Sequence, residues 1–72
     1  MFIIQEIQTN DGVSALTPAI TKDDKNQALS AFFTACASAC VSSVEVYTVT
    51  LTDEHGQQVR PAEYFEHPKN EA

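Results

Sequence analysis

The chain has 72 residues, of which 43% are hydrophobic and 19% are charged, and ten acidic residues against four basic ones give a net charge of −6. A chain of this length can build one hydrophobic core only, and this composition excludes an intrinsically disordered protein. Four basic residues do not supply the positive surface that nucleic acids and anionic membranes require, so we expect no direct binding to either.

The organisation of the chain is that of a single domain. No apolar run approaches the roughly 18 residues of a membrane-spanning helix. The first apolar residues are followed at once by Gln5 and Glu6, without the basic region of a secretory leader. We therefore expect a cytoplasmic protein with one domain over residues 1–67 and a flexible tail over residues 68–72.

The first half of the chain begins with a hairpin signal. Residues 2–9, FIIQEIQT, are rich in Ile and partly alternate, which predicts the first strand. The sequence NDG follows, and such a pair favours a tight turn because both central positions adopt positive φ. Residues 13–17 then form a short returning strand, which Pro18 ends, or remain a loop.

A helix follows, predicted from about residue 22 to residue 41. Thr21 is the expected N-cap, and Asp23 and Asp24 would meet the positive end of the helix dipole in the first turn. The apolar residues recur at spacings of three and four, which predicts one buried stripe: Leu29, Phe32, Phe33, Cys36, Ala39 and Cys40.

Two further strands complete the predicted domain. Residues 44–52, VEVYTVTLT, alternate and are rich in β-branched residues. The loop DEHG precedes a last strand over residues 57–67, in which Pro61 indicates a sheet edge or a bulge. The prediction is an α+β fold of order ββαββ, with one helix on one face of a small antiparallel sheet, or βαββ if residues 13–17 are loop.

Several short segments resemble a group of uncharacterised proteins from phage and prophage regions of gut bacteria. These segments are EIQTNDG, the Ala-rich end of the helix before VSSV, DEHG and the closing YFEH. The resemblance implies an origin in a mobile element and no known activity. The late helix of those proteins is mostly alanine, so Cys36 and Cys40 would be departures from their pattern.

The two cysteines are the first candidates for chemistry. Cys36 and Cys40 are spaced i, i+4, which puts their Cβ atoms about 5–6 Å apart on a helix, too far for an undistorted disulfide. Two thiols at this spacing can share a metal ion, and His67 at the end of the last strand could join them. We expect both thiols to pack in the core instead, with no metal site, no cofactor and no catalytic residue.

The charged and aromatic residues offer candidates for binding. The helix start, with Asp23 and Asp24, and the loop between the last two strands, with Asp53 and Glu54, should lie at the same end of the domain. Such a cluster could dock a basic partner, although it could equally be a helix cap and a solvated turn.

Tyr47 and Tyr64 lie on the last two strands, and one or both should face away from the helix, on the uncovered side of the sheet. We therefore expect a non-catalytic interaction module, an accessory protein of a phage or prophage, that uses a sheet face or edge. Its partner would be another protein or, more favoured, a second copy that forms a homodimer through the uncovered face of the sheet. The alternatives are an acidic decoy of a nucleic-acid-binding protein and, third, a thiol or metal-binding protein.

Overall fold

A computed structural model describes residues 1–67 and has the α+β architecture that the sequence predicts, one helix packed on an antiparallel sheet. The predicted tail over 68–72 lies outside the described residues. The elements in chain order are β1 (Phe2–Asn10), β2 (Val13–Leu16), β3 (Ile20–Lys22), α1 (Lys25–Cys40), β4 (Val46–Asp53) and β5 (Glu63–Glu66).

The order of elements is βββαββ rather than ββαββ. Residues 13–16 do form a returning strand, so the loop alternative is wrong. The difference is β3, which lies where the sequence predicted only the approach to the helix. Three residues are too few to show an alternating pattern, and β3 exists because Thr21 and its neighbours find free positions beside the first residues of β1.

The sheet is built around two long central strands. Its order is β2-β1-β4-β5, and β3 pairs with β1 on the side that β2 also uses. β1 and β4 pair from Phe2 opposite Asp53 to Thr9 opposite Val46. β2 continues from β1 through a turn at Asp11 and Gly12, whose φ angles are 53° and 78°, as the NDG signal predicts.

The helix begins three residues later than predicted. Its N-cap is Asp24 and not Thr21: the Asp24 carboxylate accepts a hydrogen bond from the backbone N–H of Gln27 at 2.9 Å. Thr21 belongs to β3, and Asp23 and Asp24 precede the first turn instead of lying in it. Asp is among the strongest N-cap residues, so the helix starts directly after Asp24, the second of the two adjacent aspartates.

The core lies between α1 and one face of the sheet. Its buried members are Ile4, Ala28, Phe32, Ala39, Tyr47, Val49 and Leu51. The predicted helical stripe is therefore wrong at two positions. Phe33 is 51% exposed and Cys40 is exposed, because the helix meets the sheet along Ala28, Phe32 and Ala39.

The second hairpin is tight at its loop and open at its end. The Asp53 carboxylate accepts hydrogen bonds from the backbone N–H groups of His55 and Gln57, and the Val59 N–H donates to the Leu51 carbonyl. The chain then leaves the ladder around Pro61 and returns as β5. The predicted strand over 57–67 is thus reduced to Glu63–Glu66, at the edge of the sheet as Pro61 indicated.

Candidate interaction surfaces

The two faces of the sheet differ in what covers them. Alternation along β4 places Tyr47, Val49 and Leu51 under the helix and the intervening threonines on the other side. Among residues 1–67, no element packs over that second side, which we call the open face. The register assigns to it Ile3, Gln5, Ile7, Thr9, Ser14, Leu16, Thr21, Val46, Thr48, Thr50, Thr52, Tyr64 and Glu66.

One row of the open face crosses four strands and carries its largest side chains. Leu16 lies opposite Ile7, Ile7 opposite Thr48, and Thr48 opposite Tyr64. Leu16 is 65% exposed and Tyr64 is 64% exposed. We call this row the apolar band. Sequence reasoning singled out Tyr64 as a binding candidate but not Leu16 and Ile7, which strand pairing places in the same row.

The two tyrosines are separated by the sheet. Tyr64 faces away from the helix as expected, but Tyr47 lies on the covered face and is 9% exposed. Its hydroxyl donates a hydrogen bond to Glu6 Oε1 at 2.5 Å and accepts one from Gln8 Nε2 at 3.3 Å. The hydrogen bond to Glu6, followed by burial, raises the pKa of Tyr47. Tyr47 is therefore a structural residue on the helix side and does not contribute to the open face.

The helix also exposes apolar side chains on its outer side. Phe33, Ala37, Cys40 and Val41 follow each other at helical spacing and are all exposed, with Val41 at 85%. The Arg60 guanidinium lies 4.9 Å from the ring centres of both Phe32 and Phe33. This arrangement ties the segment before β5 to the helix by cation–π contacts.

The cysteines differ in environment, and only one matches the packing prediction. Cys36 is half-buried against the core, and its pKa is raised by burial first and by the Glu63 carboxylate second, with Arg60 opposing them. A thiol with a raised pKa is a poor nucleophile and metal ligand. Cys40 is exposed, so the expectation that it packs in the core is wrong.

His67 reaches the helix end, as the strand direction predicted. Its Nε2 lies 2.9 Å from the Ala39 carbonyl oxygen, and since a carbonyl can only accept, Nε2 is the donor in this hydrogen bond. Within residues 1–67, no group of three or more His, Cys, Asp or Glu side chains is placed to hold a metal ion.

The acidic end of the domain forms as the topology predicted. Phe2 has Lys22 opposite it on one side and Asp53 on the other, so the approach to the helix and the β4–β5 loop share one end of the sheet. Two of the carboxylates at this end form contacts within the chain. Asp24 caps α1, and Glu54 pairs with the N-terminal ammonium at 3.2 Å.

Asp53 is held by its own loop. The N–H of Gln57 and, less strongly, that of His55 lower the pKa of its carboxyl group. Asp23 is exposed just before the helix cap. The cluster is explained mainly by a helix cap and a turn, which leaves the apolar band as the more informative surface.

The chain matches no family of known proteins, no curated protein and no solved structure. In the described part of the chain, no helix is long and apolar enough to cross a bilayer; α1 has 16 residues.

Proposed function

We propose that this chain is a non-catalytic interaction module that binds a protein partner through the open face of its sheet. The observation that carries the proposal is the apolar band, in which Leu16 and Tyr64 are each about two-thirds exposed at opposite ends of one row. We further propose that the module is an accessory protein of a phage or prophage, the origin that the resemblance implies.

The chemistry of the open face supports a contact that is nearly free of charge. Among its described members, Glu66 carries the charge, and the others are aliphatic, aromatic, hydroxyl or amide side chains. Aromatic residues on such a surface are the usual anchors of protein interfaces, and threonines pack closely while they retain hydrogen-bonding groups. The partner that fits is a protein with a flat, nearly uncharged patch that includes apolar side chains opposite the apolar band.

The rigidity of the face is a further argument. β4 is paired on both sides, and Thr50 Oγ1 donates a hydrogen bond to the Gln5 carbonyl at 3.2 Å, which ties the two central strands together. The helix supports the reverse side through Val49 and Leu51, both fully buried. A surface that is ordered before binding loses less conformational entropy on association.

The proposal is tested by comparing two exposed substitutions that add the same charge. Tyr64→Lys places an ammonium group in the apolar band, whereas Gln57→Lys places it in the β4–β5 loop. Each full-length variant is immobilised and exposed to extract from the cells that carry the protein. We expect wild type and Gln57→Lys to retain the same partner, and Tyr64→Lys to lose it by about 30-fold or more in affinity.

Two outcomes contradict the proposal. If Tyr64→Lys binds the partner as tightly as wild type does, the open face is not the binding surface. If binding disappears between about 0.1 M and 0.5 M NaCl, the contact is ionic, and the acidic decoy becomes the better interpretation.

A further inference from the structure

The two edges of the sheet are not equally protected against pairing with another strand. β5 has a glutamate at each end, and Pro61 lies just before it. Charges and prolines of this kind are the usual protection of an edge strand. β2, with the sequence VSAL, contains no charged residue, and all four of its residues are exposed, although Pro18 lies two residues after it. Among residues 1–67, no strand lies beyond β2.

The backbone of β2 presents a regular set of free groups. In a two-residue hairpin the residues that flank the turn, Asn10 and Val13, exchange hydrogen bonds, and bonded positions then alternate along the strand. The bond from the Thr17 N–H to the Glu6 carbonyl, at 3.0 Å, continues that alternation. The N–H and C=O groups of Ser14 and Leu16 therefore point away from β1.

We propose that β2 pairs antiparallel with β2 of a second copy of this chain, about a two-fold axis at Ala15. A two-fold axis perpendicular to the sheet keeps the open faces of both copies on the same side. Because side chains alternate between the two faces, opposed residues must both have even numbers or both have odd numbers. Placing Ala15 opposite its own copy brings Ser14 opposite Leu16. Those are the two residues with outward backbone groups, and the two symmetric pairs form four hydrogen bonds.

The charge distribution favours a second copy as the occupant. The chain carries a net charge of −6, but residues 12–21, GVSALTPAIT, contain no charged side chain. In the proposed register, Asp11 lies beside Ala19 of the second copy, so no carboxylates oppose each other. Two acidic chains can therefore approach along this strip without the repulsion that the acidic end would cause.

This pairing rests on the proposed function, because its effect is to enlarge the surface that binds the partner. It joins the open faces of two copies into one continuous sheet, with Leu16 of each copy near the two-fold axis. The apolar bands then lie on one side of a surface twice as wide. Tyr64 is at the opposite edge of the sheet and takes no part in the pairing, which allows the two ideas to be tested separately.

The register is tested by disulfide trapping in a Cys36→Ala/Cys40→Ala background. In the proposed register, Ala15 and Ala15 of the second copy form a non-hydrogen-bonded pair. The Cα atoms of such a pair are about 4.5 Å apart, which is within the range of a disulfide. Ala15→Cys should thus form a covalent dimer under mild oxidation. The matched control is Val13→Cys, on the same face of β2, which lies about 14 Å from its symmetry mate in this register and should remain monomeric.

The hydrogen bonding is tested by light scattering of two variants at the same position. Ser14→Pro removes the outward N–H, which β1 does not use, and should weaken dimerisation about tenfold or more. Ser14→Ala retains the N–H and loses only the hydroxyl bond to Thr9 Oγ1, which spans 2.8 Å, and should dimerise as wild type does. Circular dichroism confirms that each variant is folded.

The outcomes separate the pairing from the proposed function. If the wild-type chain is monomeric at concentrations up to about 1 mM, its dissociation constant is too weak for a specific dimer, and the pairing is wrong. The pairing is also wrong if Ser14→Pro dimerises as wild type does. It is equally wrong if Val13→Cys forms the covalent dimer as readily as Ala15→Cys does. A dimer lost in Ser14→Pro but kept in Tyr64→Lys supports the pairing, whether or not Tyr64→Lys still binds a partner.

Discussion

The two faces of β4 show how one strand serves two purposes. On the covered side, Tyr47, Val49 and Leu51 are buried under the helix, and on the open side Thr48, Thr50 and Thr52 remain partly exposed. Apart from Leu51, both sets consist of aromatic or β-branched residues, which favour extended backbone. The comparison teaches that the covered face contributes most of the burial that stabilises the fold, whereas the open face leaves its side chains accessible for contact.

The largest expected effect comes from the covered face. Leu51 is fully buried, so Leu51→Ala leaves a cavity and should lower the free energy of unfolding by about 3 kcal/mol. Thr52→Ala, the next residue but on the open face, should cost less than about 1 kcal/mol. Urea denaturation of both variants measures the difference. Equal losses would mean that the two faces do not differ in their contribution to stability.

The next effect separates the two tyrosines. Tyr47→Phe removes the hydroxyl that donates to Glu6 and leaves that half-buried carboxylate without its donor. We expect a loss of about 1–2 kcal/mol in unfolding free energy. Tyr64→Phe alters an exposed hydroxyl and should stay within about 0.5 kcal/mol. A greater loss at Tyr64 than at Tyr47 would contradict the assignment of the two faces.

A smaller effect should appear as a pH dependence. The hydrogen bond to Glu6 raises the pKa of Tyr47, so the folded state favours the neutral phenol. The resulting stability is complete below the unfolded-state pKa of about 10 and is lost as pH rises through the folded-state pKa. The advantage of wild type over Tyr47→Phe should therefore shrink above about pH 10. Denaturation between pH 8 and pH 11 tests this, and an advantage that grows with pH would contradict it.

The last comparison is between the covered and outer sides of the helix. Cys40 is exposed, whereas the pKa of Cys36 is raised by burial and by Glu63. Iodoacetamide at pH 8 should therefore modify Cys40 first, as peptide mass spectrometry will show. Faster reaction at Cys36 would mean that it has an activated thiolate, and the thiol or metal-binding interpretation would regain support.

The sequence determined the elements whose signals are local. The NDG turn produced the β1–β2 hairpin because Asp11 and Gly12 are residues that accept positive φ. Alternation identified β4, and the order of the elements placed His67 at the helix end and the acidic residues at the other end.

Tertiary structure decided which side of each element is covered and which short segments join the sheet. Apart from Lys25 at its start, α1 carries no charged residue, so its apolar spacing allowed more than one buried stripe, and contact with the sheet selected Phe32 over Phe33. Within the apolar band, the Leu16–Ile7 pair follows from the two-residue NDG turn, because turn geometry fixes the register of a hairpin. β3 and the pairs that join Ile7, Thr48 and Tyr64 depend on strands that are not joined by a tight turn, and their register is set by the packing of the whole sheet.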